Sequence, residues 1–394
     1  MSYSILHISD LHYSKKNAEQ RNFLANKFFE DLRVTIDSQG KPNAIVFSGD
    51  IVNNPDEDDV YLYAIDSFFE RLFEISGLSS SALVLCPGNH DISRLALKQH
   101  LPIFHALRQG IGNNEVIEGY YQNQGLTEYA TDLSRKFFEF CEYIDLKWDN
   151  PFFRISKIGD SQFLSMNSAF SCSPEGSVQD RGKLIYPPGA IEEAISKLEG
   201  GRSLGVVNHF PLTDFEEGNF RIVEPRIRST TSFVFYGHVH SANPIAQTFA
   251  DSRVIHLQSG ALFSRNDYFK GYSYTAIEGE HSFSLYRSYY DQRAVFDVAT
   301  NVAKDGVYYP TPASRSTTRL RQKSRQSLGH TLIGSLLVRS SFRSRVRWTS
   351  LLKLCRTGLT LNIAPRSAMR KLRGGMNAHR NSCKNLNGLK SRTF

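Results

Sequence analysis

Residues 83–91 read Leu83-Val84-Leu85-Cys86-Pro87-Gly88-Asn89-His90-Asp91, a short apolar run that breaks into a Pro-Gly turn carrying an amide, an imidazole and a carboxylate. The run predicts a buried strand, and the Pro-Gly pair predicts that it stops abruptly. Asn89 offers a neutral oxygen to a metal ion, and His90 can give a proton or a hydrogen bond to a leaving-group oxygen. The bland alternative is an Asn-His turn with Asp91 capping the helix that follows, and for Asp91 itself a cap is the expectation.

The same plan, a strand ending in polar chemistry, recurs along the chain. Ile8-Ser9-Asp10-Leu11-His12 ends a strand-like run with a carboxylate and an imidazole two residues apart; on an extended chain such residues share a face and can reach one ion. In Phe47-Ser48-Gly49-Asp50 the glycine permits a tight turn, and Asp50 falls at the carboxyl end of a strand, where ligands bind in open α/β sheets. Val207-Asn208-His209-Phe210-Pro211 and Tyr236-Gly237-His238-Val239-His240 each place imidazole, a common nitrogen ligand of first-row metals, after an apolar run. Taken singly, most of these blocks read as ordinary turns. Five of the twelve histidines nevertheless fall in them, and the remainder, His7 and His256 among them, are assigned structural roles.

Up to about residue 300 the apolar pattern alternates short strand-like runs with longer helical ones, which predicts an α/β domain. Strands are expected at Tyr3–Ile8, Ala44–Phe47, Leu83–Leu85, Phe163–Met166, Leu204–Val207, Phe233–Phe235, Val254–Leu257, Tyr272–Ile277 and Ser282–Tyr286. Helices are expected at Glu19–Asp37, Val60–Glu74, Leu126–Ile144 and Gly189–Leu198, where apolar residues recur every three or four positions. The segment from about 92 to 149 reads as mainly helical, an insertion that would cap the site.

A chain of 394 residues with 40% hydrophobic content can bury one large core or two ordinary ones. Its charge is unevenly spread: 19 of the 47 Lys and Arg lie after Asp305, where no Asp or Glu occurs. An acidic body of residues 1–300 is thus joined to a basic tail of residues 301–394, expected to be disordered or locally helical and suited to nucleic acid or another anionic partner. Out-of-frame translation would give the same composition. The five scattered cysteines form no Cys-x-x-Cys pair, which fits a reducing compartment. The first residues show no secretion-signal pattern, and the tail's longest apolar stretch, Leu332–Val338, is far short of the roughly 20 residues of a membrane span. A cytoplasmic protein without a transmembrane segment is the expectation.

Together, and in this order, the blocks Asp-x-His, Gly-Asp, Gly-Asn-His-Asp, His-x-Pro and Gly-His-x-His resemble the calcineurin-like metallophosphoesterase superfamily over residues 3 to 290. The resemblance implies a four-layer α-β-β-α sandwich with its site on loops at the strand ends. It implies that Asp10, His12 and His240 hold one divalent cation, that Asn89, His209 and His238 hold a second, and that Asp50 bridges them. Mn, Fe, Zn or Ni would suit such ligands. The resemblance further implies that two such ions would clamp a phosphoester and supply the hydroxide for in-line attack, while His90, not a ligand, would protonate the departing alkoxide. Protein phosphatases of the superfamily continue the second block as Gly-Asp-x-Val-Asp-Arg-Gly; here it reads Gly49-Asp50-Ile51-Val52-Asn53-Asn54, closer to cyclic-nucleotide phosphodiesterases and repair nucleases. Asn53 either orients His90 or ends the turn. A phosphodiesterase is the leading expectation. A nuclease gripping DNA or RNA through the tail, and a sensor that binds a phosphate ligand without turnover, are the alternatives.

Overall fold

The computed structural model describes residues 2–110, 112–173, 180–250, 252–264, 268–279 and 281–310. The basic tail, from residue 311 onward, lies outside the described residues. Among them the first sheet contains strands β1 (Ser2–Ile8), β2 (Ala44–Phe47) and β3 (Leu83–Leu85); the second contains β4 (Phe153–Ile158), β5 (Ser161–Met166), β6 (Ser203–Val207), β7 (Thr231–Tyr236), β8 (Ile245–Thr248) and β9 (Arg253–Gln258). The chain then returns to the first sheet with β10 (Gly271–Glu278), β11 (His281–Tyr290), β12 (Val295–Val298) and β13 (Val307–Tyr308). The strand orders are β12-β11-β10-β1-β2-β3, with β13 beside β11, and β4-β5-β6-β7-β9-β8. In both sheets the motif-bearing strands are parallel to one another, and antiparallel strands extend the edges.

The alternation of side chains along each strand builds the layers. Ile5, Ala44 and Val46 point inward with Phe163, Val207, Phe235 and Leu257 of the other sheet, forming the core between the sheets. Leu6, Ile8, Ile45 and Phe47 point outward to a second core. There they meet α1 (Ala18–Gln39) and the stretch α2 (Val60–Ala64), a π-turn (Ile65–Phe69) and α3 (Glu70–Ser76). Leu164, Met166, Val206 and Val234 face a third core on the far side. It is covered by α4 (Arg94–Gln99), α5 (Leu101–Gln109), α6 (Asn114–Gln122), α8 (Pro188–Lys197), α9 (Glu217–Thr230) and the first half of α7 (Gly125–Tyr143). The order of layers is helix, sheet, sheet, helix, the α-β-β-α architecture expected from the motif order. The second half of α7 joins the opposite core through Phe137, Phe140 and Cys141, so one helix is shared by two cores.

One polar fastening crosses the first outer layer. Asp31 of α1 is buried and accepts hydrogen bonds from Tyr272 Oη at 2.6 Å and Arg287 Nε at 2.9 Å. A carboxylate taken out of water needs such a partner, since its desolvation is otherwise uncompensated. Three differences from the sequence reading have physical causes. The helix Glu217–Thr230 escapes periodicity because Pro225 sits inside it and few of its residues are apolar. The edge strand Ile245–Thr248 is largely exposed and shows no apolar alternation. Asp91 does not cap a helix; Ser93 does, its side chain accepting from Ala96 N. No helix among the described residues is long and apolar enough to cross a membrane.

Candidate metal centre

Strand register brings the motif blocks to one rim of each sheet. Ile8 lies beside Phe47 and Phe47 beside Leu85, while Val207 lies beside Phe235, so the blocks begin level with one another. Main-chain bonds then lace the loops together: Asp10 N to Gly49 O at 3.0 Å, His12 N to Asp50 O at 2.9 Å, Gly237 N to His209 O at 3.0 Å, and Phe263 N to Asp10 O at 3.1 Å. The backbone beyond the strands is not extended. Asp10, His12, Asp50, His238 and His240 have φ of 55°, 43°, 57°, 64° and 48°, the left-handed region that non-glycine residues seldom enter. The convergence of Asp10 with His12, and of His238 with His240, therefore comes from tight left-handed turns and not from the two-residue repeat of a strand. Each such residue costs about 1–3 kcal/mol, held in place by the structure around it.

Two glycines are required by close approach. A methyl on Gly88 would overlap the Asp50 carboxylate, and one on Gly237 would overlap Ser9 Oγ and the Asp10 carboxylate. Both leave room for the acids that the blocks deliver.

All seven expected ligand residues come together, in two groups. His240 Nε2 lies 3.1 Å from Asp10 Oδ1 and 3.2 Å from His12 Nε2. Asn89 Oδ1 lies 3.2 Å from His209 Nε2 and 3.1 Å from His238 Nδ1. Asp50 Oδ2 faces both groups, 3.7 Å from His12 Nε2 and 3.4 Å from His209 Nε2. This donor set fits divalent cations: carboxylate, amide and imidazole atoms are pressed together with two ring nitrogens facing each other, an arrangement for which neutral rings offer at most one proton. The clusters Asp10–His12–His240, Asp10–Asp50–His209 and His12–Asp50–His90 each gather ligand atoms within 4.8 Å. His90 thus stands close enough to be counted with the ligands. Its Nδ1, however, donates to the main-chain carbonyl of Asn53 at 2.9 Å, so only Nε2 remains for other work. Asn53 meets His90 through its backbone, and its side chain is exposed.

Other contacts here lie outside what motif types reveal. The Ser48 carbonyl accepts from His209 Nδ1 at 2.7 Å, fixing the ring so that Nε2 faces the centre. Asn208 Nδ2 donates to Phe210 O at 2.7 Å while its Oδ1 accepts from Ser168. Both residues are buried, Asn208 directly before His209 and Ser48 two positions before Asp50, yet nothing in their type signals the contact. Tyr268, an exposed ring, stands perpendicular to His240 at 5.3 Å between centroids. Burial pushes the thiols of Cys86, Cys141 and Cys172 up, which keeps these buried cysteines protonated and poor nucleophiles.

Charge in the centre is strongly redistributed. Burial pushes the Asp10 carboxyl up, but the His240 hydrogen bond and the charges of His240 and His209 outweigh it and lower it to about 2. Asp50 is held well below the usual carboxylate range, because His209 and His90 beside it outweigh its burial. Burial lowers His12 to about 4 and His238 to about 3. His209 is raised to about 9, since the Asp50 charge and hydrogen bond overcome the burial of its ring. Without a cation, therefore, His209 carries a proton at neutral pH. Its folded value lies above the ordinary 6.5 of the unfolded chain, so the proton stabilises the metal-free fold fully below pH 6.5 and that stability is lost as pH rises through about 9. Metal ligation demands the opposite, a bare Nε2. Mn²⁺ affinity is expected to rise with pH through the neutral range, about tenfold per pH unit for each proton displaced, and to level off above about 9. Competition titration across that range measures the slope, and a flat profile contradicts it.

A sequence model described as calcineurin-like phosphoesterase matches residues 3–242. The metallophosphoesterase-like protein YydB of Bacillus subtilis (strain 168) is 24% identical over 273 residues, covering 66% of this chain and 54% of its own length. The chain thus spans about half the length of that relative. Among solved structures, a dimetal phosphatase from Danio rerio aligns with 75% of this chain and 97% of its own at 11% identity and a TM-score of 0.42. Vps29 of Chaetomium thermophilum aligns with 78% and 96% at 10% identity and a TM-score of 0.31.

Proposed function

The chain belongs to the calcineurin-like phosphoesterase family, a family of metal-dependent phosphoester hydrolases, and we propose that it is a phosphodiesterase working with two divalent cations. The observation that carries this reading is Asp50, a buried carboxylate facing two separate ligand groups at 3.7 and 3.4 Å. In this reading Asp10, His12 and His240 hold one cation, and Asn89, His209 and His238 the other. Bound there, a cation pair polarises a phosphoryl oxygen and lowers the pKa of water. The protein's own part is to orient and to move protons. The Ser48 carbonyl holds His209 in the tautomer that presents Nε2. The Asn53 carbonyl engages His90 through Nδ1, leaving Nε2 as the atom that, in the imidazolium form, would donate to the leaving oxygen.

Diester preference is supported by where the nearby guanidinium groups are spent. Arg21 donates to the Leu11 carbonyl, and Arg94 to the carbonyls of Ser173 and Asn89. Asn53 and Asn54 stand where protein phosphatases carry aspartate and arginine. A diester monoanion needs less added positive charge than a monoester dianion, and these arginines are already engaged. Residues 92–149 would be an insertion in a catalytic domain of residues 1–300, and residues 301–394 a basic appendage. The test is a screen of the full chain with Mn²⁺ against cyclic nucleotides, bis(p-nitrophenyl) phosphate, DNA, RNA and p-nitrophenyl phosphate. Diesters are expected to exceed the monoester in kcat/KM by about tenfold or more, a difference of at least 1.4 kcal/mol in barrier. A monoester preference would overturn the diester reading and leave the family intact.

A further inference from the structure

The carboxylate of Asp91 has no part in the chemistry above, yet it is wholly buried, and the partners it has are all neutral donors. Oδ2 accepts from Gly88 N at 2.8 Å and Ile51 N at 3.3 Å; Oδ1 accepts from Val52 N at 3.3 Å and Tyr61 Oη at 3.0 Å. Four donors on two oxygens fill the acceptor capacity of the group. What matters is where those donors lie. Ile51 and Val52 directly follow Asp50, and Gly88 directly precedes Asn89 and His90. One carboxylate therefore clasps the turn that delivers the shared acid to the turn that delivers the leaving-group donor.

Two further contacts depend on the clasp. His90 N donates to Asp50 Oδ1 at 2.8 Å, and His90 Nδ1 donates to the carbonyl of Asn53, the residue after Val52. Sliding one turn against the other would move His90 away from the oxygen it is placed to protonate. The far end of the clasp is anchored in the outer layer, because the Tyr61 ring stacks on Phe140 of α7 with centroids 5.0 Å apart.

We infer that Asp91 is a positioning residue that fixes His90 against Asp50, so that its removal is felt as lost leaving-group protonation. This rests on the reading of His90 as the proton donor. Asp91→Asn replaces one acceptor oxygen by an amide N–H facing two other donors, and opens half of the clasp; Tyr61→Phe removes a single donor and leaves both turns unaltered. The measurement is kcat of the full chain with Mn²⁺ over a series of methyl aryl phosphates with leaving phenols of increasing pKa. Asp91→Asn is expected to lose a few-fold with p-nitrophenolate and about 10²-fold with the poorest leaving group, the upper value lying in the range of general acid catalysis. Tyr61→Phe is expected to steepen the same slope less. KM and Mn²⁺ content should stay within about twofold of wild type, a tolerance small against that loss.

A kcat loss equal across the series, or one that tracks lost Mn²⁺ or a lowered unfolding temperature, would show a merely structural role and overturn the inference. If Asp91→Asn does not fold, an unchanged slope in folded Tyr61→Phe overturns it too. His90→Ala separates the two levels. When it steepens the slope and Asp91→Asn does not, the inference alone fails; when His90→Ala leaves the slope flat, the proton-donor reading fails and takes the inference with it.

Discussion

Asp50→Asn is expected to lower kcat by about 10³-fold or more, the equivalent of several kcal/mol of charge stabilisation, while leaving the fold intact. Asp50 sits at a φ of 57°, and asparagine is among the residues that tolerate this region best, so the turn survives the change. Packing is preserved as well, the two side chains being nearly isosteric. What disappears is one negative charge facing both ligand groups, and with it the means of holding a second cation beside the first. The metal-free charge pattern reports the same loss, because His209 is raised chiefly by the Asp50 charge and should fall toward its ordinary value in the variant. Metal analysis is expected to give about one cation per chain in place of two, and the unfolding midpoint should stay near wild type. A folded variant with full cation content and activity within tenfold would exclude Asp50 as the shared ligand.

Much of this centre was legible in the sequence because its chemistry is concentrated where strands end. Apolar runs such as Ala44–Phe47 and Leu83–Leu85 have the residues and bounds of β2 and β3, since a strand buried on both faces leaves an unbroken apolar signature. The glycines and acids that follow mark the turns. The backbone conformation of the ligand residues was not legible. Asp10 and His12 read as extended because spacing alone cannot distinguish a strand from two left-handed turns, and only the laced main chain makes the strained form the stable one. Asp91 read as a helix cap for a related reason. An acid before a helix usually is a cap, and three of its four partners, Ile51, Val52 and Tyr61, are 30 to 40 residues away. Asn53 acts through its carbonyl, an atom every residue has. Elements with weak apolar patterns, the helix over Glu217–Thr230 and the edge strand Ile245–Thr248, were lost to the same limit, being defined by tertiary contact more than by local preference.

The strain concentrated at the centre also bears on stability. Five left-handed ligand residues, at about 1–3 kcal/mol each, are a burden comparable to the whole net stability of an ordinary domain. They persist because three apolar cores and the interstrand ladders over-determine the rim. Bound cations would add to that support, since a ligand held only by the folded state stabilises it by mass action.

His90→Ala is expected to reduce kcat by about 10²- to 10⁴-fold on substrates with alkoxide leaving groups, the span typical of a lost general acid. The effect should shrink for p-nitrophenolate, which departs without a proton. Cation content decides between the two roles that geometry allows His90. It belongs to a cluster with His12 and Asp50 within 4.8 Å, so as a ligand its loss would empty a site. As a proton donor its loss would leave both cations in place. Two features favour the second outcome: Nδ1 is committed to the Asn53 carbonyl, and Asp50 already receives the His90 main-chain N–H at 2.8 Å, which persists in alanine. Retained Mn²⁺ with a leaving-group-dependent loss of kcat is the result that fits. Loss of Mn²⁺ in step with activity would make His90 a ligand and transfer the proton to water.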